Sequence, residues 1–68
     1  MVEDERAKLK ILLDHWIEHN KEHGEEFSQW AEKAKGFGDA KAHDVILEAA
    51  QQMSKVNEFL LKALRALK

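Results

Sequence analysis

Apolar and half-polar side chains recur along this chain at alternating steps of four and three residues, in two separate runs. The first is Leu9, Leu13, Trp16, Asn20, His23, Phe27, Trp30 and Ala34. The second is His43, Ile46, Ala50, Met53, Asn57, Leu60, Leu64 and Leu67. Such steps return a side chain to one face of an α-helix every two turns, so each run predicts a long helix with a heptad seam. Between the runs stands Gly36-Phe37-Gly38-Asp39. Gly36 suits the left-handed position that follows a helix C-terminus, and Asp39 suits the cap of the next helix. The pattern therefore predicts a helix over about 3–35, a turn at 36–39 and a helix over about 40–66. The two would pack antiparallel as a hairpin in a single all-α domain.

Gly24 is the one helix-breaking residue inside the first run. The seam passes through it without a change of phase, and Glu25-Glu26 follow it with no Ser, Thr, Asp or Asn to cap a new start. A continuous helix is the reading this supports, with glycine costing about 1 kcal/mol relative to alanine. The alternative is a three-helix bundle broken at Gly24, which would set a short middle helix against a much longer final one.

The apolar arc is wider than one seam. Val45, Ala49, Val56, Phe59 and Ala63 flank the second run, while Ile17 and Ile11 lie to either side of the first. An arc of that width implies more than one helical neighbour. A homodimer forming a four-helix bundle is the simplest arrangement that supplies it.

Composition narrows the class further. With 68 residues there is room for one domain, and with no cysteine there is no disulfide to staple it. A metal, oligomerisation or very regular helix packing is left to do that work. The absence of cysteine and of a long apolar run fits a cytoplasmic protein with no membrane partner. A net charge of −2 argues against a nucleic-acid binder. Lys33, Lys35 and Lys41, like Lys62, Arg65 and Lys68, read as solvated charge.

Candidate chemistry is confined to histidine and glutamate. His15, His19 and His23 are spaced four apart, and each is followed three residues later by Glu18, Glu22 or Glu26. Imidazoles one helical turn apart can grip the same ion. Nitrogen donors with carboxylate support suit a transition metal, nickel, cobalt, zinc or copper, better than a hard ion such as magnesium. The seam places His23 in the core, His19 beside it and His15 towards solvent, with Glu22 or Glu26 as an added ligand. In a dimer whose turns lie at opposite ends, His19 and His23 of both chains would converge on one site. His43 is a further metal candidate at a seam position, but more than two turns from His23 along the hairpin.

A plainer account stands beside this one. A seam histidine is often a core residue bonded to a neighbour such as Asn57 or Ser54, and for His43 this is the favoured account. Asn20 and Asn57 at core positions are known devices for fixing register. Trp16, Phe27, Trp30 and Met53 read as core filling. Phosphate loops, cysteine nucleophiles and serine elbows are missing, so the chain does not read as an enzyme. Di-iron bundles use Glu-x-x-His, whereas the order here is His-x-x-Glu. A histidine–glutamate general base lacks a visible substrate pocket. A haem held by Met53 or His23 would have no attachment motif to support it.

The stretch His15-Trp16-Ile17-Glu18-His19-Asn20-Lys21-Glu22-His23, followed by Phe27 and Trp30-Ala31, resembles a small prokaryotic helical domain of anaerobic archaea and bacteria. The resemblance spans about Leu9 to Leu64, and HWIEHNxEH is its specific element. That domain is associated with nickel-handling proteins, so the resemblance implies an accessory role in metal binding or trafficking, with nickel the favoured ion; taken with the donor set, nickel or zinc is the cofactor expected. The second expectation is a structural or adaptor module whose bundle face docks a protein partner.

Overall fold

A computed structural model describes the backbone of residues 2–67 and the side chains of residues 5–67; Lys68, the last of the C-terminal basic residues, lies outside them. Two helices, α1 (Val2–Gly36) and α2 (Ala40–Ala66), fold back on one another as an antiparallel hairpin, and the described residues contain no strand. Its Cα extents are 54 × 14 × 11 Å. The fold is the all-α hairpin that the spacing predicts. Helix α1 runs unbroken through Gly24, so the three-helix alternative is set aside.

The turn differs in detail from expectation. The left-handed glycine is Gly38, at φ 95°, and not Gly36, which remains helical. Asp39 N–H donates to Ala34 O at 2.9 Å and Gly38 N–H to Lys35 O at 3.2 Å. These nested bonds close the last turn of α1 in the Schellman pattern. Asp39 then caps α2 as expected, its side chain accepting from Ala42 N at 3.0 Å.

Two side-chain bonds fix the register. Asn57 Nδ2 donates to Ile17 O at 3.0 Å, and His43 Nδ1 donates to Ala31 O at 2.9 Å. Both pairs sit at the same offset, two heptads apart on each helix. His43 therefore faces the Trp30–Ala31 level, as counting back from the turn predicts.

The seam of α2 lies where its pattern puts it, from His43 to Leu67. The seam of α1 is turned by one residue at every second position. Leu13, Asn20, Phe27 and Ala34 face α2 as predicted, but their companions are Lys10, Ile17, Gly24 and Ala31. Leu9, Trp16, His23 and Trp30 stand one step round the helix, with Trp16 41% and Trp30 53% exposed. The reason is steric. Small residues let the backbones close up: a Cβ built on Gly24 would lie 3.7 Å from Met53 Cβ and 3.9 Å from Ala50 O. Bulky tryptophans at that level would force the helices apart.

The core that results is thin. Among the described residues Leu13, Ala31, Ala34 and Ala50 are buried, and no large side chain is fully so. A compact monomer of 7.9 kDa exposes about 4,400 Å², whereas this hairpin exposes 5497 Å². Among the described residues no helix is long and apolar enough to cross a membrane.

Candidate metal site

His15, His19 and His23 form a continuous row of imidazoles on α1. The rings of His15 and His19 are stacked with centroids 4.9 Å apart, and His19 meets His23 edge-on at 5.3 Å. The row continues onto Phe27, stacked on His23 at 6.0 Å. Four-residue spacing produces this arrangement, because side chains one turn apart lie over each other. Neighbouring rings at these distances need only rotamer changes to aim two nitrogens at one point.

The row is on the surface, which corrects the expectation of a partly buried site. His23 is 46% exposed, because α1 turns Gly24 and not His23 towards α2. His15 and His19 are exposed as well. Of the glutamates, Glu26 is the one drawn to the row: its Oε1 lies 3.8 Å from His23 Nδ1 and it is 61% exposed. Glu22 is exposed on the same helix. His43 stands apart, half-buried and committed to Ala31 O, which agrees with the core role favoured for it, although its partner is a backbone carbonyl and not Asn57 or Ser54. Among the described residues no three His, Asp or Glu side chains converge to hold a metal ion. One chain thus offers adjacent pairs of donors and a nearby carboxylate, with ligands still to be supplied.

The surroundings of the row are apolar. Leu9, Leu12, Trp16 and Trp30 are exposed along the same side of α1. On α2, Val45 at 58%, Val56 at 43% and Phe59 at 66% are exposed, with Ala49 between them and Ala63 one turn further on. In an antiparallel pair held at the observed register, these two stripes flank the seam on the same side, because each lies one step before its seam positions. They make one apolar face, with His19 and His23 near its middle. Ammonium groups sit on two of its aromatic rings, Lys33 over Trp30 at 4.3 Å and Lys62 over Phe59 at 5.3 Å.

The other flank is polar. A cleft of about 250 Å³ opens there over Gly24 and Ala50, with Lys21, Ser28, Ser54 and Asn57 among its walls. Asn57 Oδ1 is buried in the hairpin without a protein partner. A water seated in the cleft would meet that need. The sequence pattern did not point to this cleft, although its floor is legible in the small residues Gly24 and Ala50.

Comparison with known proteins places the chain in a family. Residues 9–67 match the model of a domain of unknown function, DUF8180, and the chain belongs to that family. An uncharacterised protein of Archaeoglobus fulgidus is 43% identical over 56 residues, covering 82% of this chain and 89% of its own length. No solved structure matches the chain.

Proposed function

We propose that this DUF8180 domain binds a transition-metal ion through His19 and His23, in an accessory, trafficking or sensing role. His15, Glu22 and Glu26 are auxiliary donors, and nickel, zinc or cobalt is the ion the donor set suits. The observation that carries the reading is the ring row itself, with adjacent imidazole centroids 4.9 and 5.3 Å apart on an exposed helix face. A solvated surface has no evident need of three adjoining imidazoles, one pair stacked and one edge-on, and a metal gives them a common task. His43 stands apart from the row, its Nδ1 bonded to Ala31 O across the hairpin, and is not needed for the site on His19 and His23. The resemblance of the HWIEHNxEH stretch to a domain found near nickel-handling proteins favours nickel among the candidates.

Competition against a chromophoric chelator tests it. Wild-type protein should withdraw nickel or zinc from the chelator, and the His19→Ala/His23→Ala variant should not. Equal withdrawal by both would sink the proposal.

A second reading, a structural or adaptor module with no metal, has its own support in the apolar face that Trp16, Trp30, Val45 and Phe59 leave exposed. The same titration separates the two, because an adaptor needs no ion.

A further inference from the structure

We infer that the apolar face is covered by a second copy of this chain, packed antiparallel about a two-fold axis that passes between His19 and His23. The two copies then build one four-imidazole metal site. The inference rests on the metal reading above and adds the partner that completes it.

Three observations point to a second copy. The first is area. The hairpin face measures 54 by 14 Å between Cα atoms, and side chains widen it. That is on the order of the ~800 Å² per partner that stable interfaces bury. The thin core and the excess accessible surface of the lone hairpin call for a neighbour of this size.

The second is symmetry. On α1 two of the four exposed apolar positions on this face, Leu12 and Trp30, are equidistant from Lys21, and so are His19 and His23, while Leu9 and Trp16 fall opposite Lys33 and Glu26. On α2 Val45 and Ala63, and Ala49 and Phe59, are equidistant from Ser54. These centres are independent features of two helices, yet the register puts them at one level. Four residues on from Ile17 is Lys21, and four back from its partner Asn57 is Met53, next to Ser54. One axis therefore relates these pairs on both helices, as a two-fold dimer requires.

The third is size matching across that axis. It would set Leu12 against the partner's Trp30, Ala49 against the partner's Phe59 and Val45 against the partner's Ala63. Large faces small on α2, the alternation that lets layers interdigitate. It also sets His19 beside the partner's His23, twice over. Four imidazoles then gather at the axis, with Glu26 beside each His23 as a charge-balancing carboxylate. A tetrahedral four-nitrogen set is a coordination that zinc accepts. With the turns at the same end, α1 would instead cover the partner's α2, and the histidines would face Gln52 and Val56.

Sedimentation velocity with zinc titration, joined to a spin-label distance, tests this on the full chain. The protein has no cysteine, so Lys35→Cys on the opposite flank takes a single label. The expected result is a dimer that saturates at one zinc per two chains. Its labels should lie ~42 Å apart along the bundle, from ~1.5 Å rise per residue. A dimer with labels within roughly 25 Å, set by helix spacings of 8–10 Å, has its turns together and overturns the inference. Monomers that bind zinc one ion per chain overturn it too, while leaving the metal reading in place. A dimer of the expected geometry that ignores zinc overturns the shared site together with the reading it rests on. Phe59→Glu, on α2 and outside the donor set, should abolish the dimer while circular dichroism at high protein concentration still reports helix.

Discussion

The side-chain amide of Asn57 donates to the backbone carbonyl of Ile17, 3.0 Å away and 40 residues earlier in the chain. With the bond from His43 to Ala31, it pins the two helices at one register. Asn57→Ala should lower stability by about 1 kcal/mol, the usual net worth of such a bond. Urea denaturation monitored by Trp16 and Trp30 fluorescence would measure it. An unchanged midpoint would mean that seam packing alone sets the register.

At Gly24 α1 packs closely against Met53 and Ala50 of α2. An added methyl would make ordinary van der Waals contact at 3.7 Å with Met53 Cβ, and alanine favours helix over glycine by about 1 kcal/mol. Gly24→Ala should therefore raise the melting temperature. Gly24→Leu should lower it, because the longer side chain has Met53 and Ala50 in its path. If both variants melt alike, the close approach is not real.

The two turn glycines should answer differently. Gly38 has φ +95° and Gly36 is helical, with nothing within 4 Å of an added Cβ at either. Gly38→Ala should destabilise by about 1 kcal/mol through backbone strain alone. Gly36→Ala should be neutral or mildly stabilising. Thermal melts of the two single variants decide it, and the reverse order would relocate the left-handed residue to Gly36.

Histidines of the two kinds should separate by phenotype. His43→Ala removes a part-buried interhelix bond, and should reduce stability by about 1 kcal/mol with metal uptake unchanged. His15→Ala should leave both stability and the principal site intact. Calorimetric titration of zinc into each variant, beside its melting curve, reads both properties. Loss of uptake in His43→Ala would place the site in the seam.

Most of the fold is legible in the sequence because heptad steps and one glycine-rich turn carry it. The helix bounds, the continuity through Gly24 and the Asp39 cap all follow from local rules. What the pattern hides is the rotation of α1. Two heptad stripes overlap there, sharing Leu13, Asn20, Phe27 and Ala34. One is completed by Leu9, Trp16, His23 and Trp30, the other by Lys10, Ile17, Gly24 and Ala31. Hydrophobicity favours the first, and close packing against Ala50 selects the second. The sequence signal was the seven-residue spacing of Ile17, Gly24 and Ala31, two of them too small to register as core. That rotation moves His23 from the seam to the outer face. The histidine row was legible as a row, since four-residue spacing stacks side chains in any helix. Its exposure was not, because exposure depends on which stripe the partner helix meets.

Native mass spectrometry with nickel or zinc in slight excess tests the metal site most directly, since it counts chains and ions in one spectrum. Wild-type protein should retain bound metal, at one ion per pair of chains, and His19→Ala/His23→Ala should retain none while keeping its helices. A double variant that holds as much metal as the wild type would contradict the account, and so would a wild type that holds none.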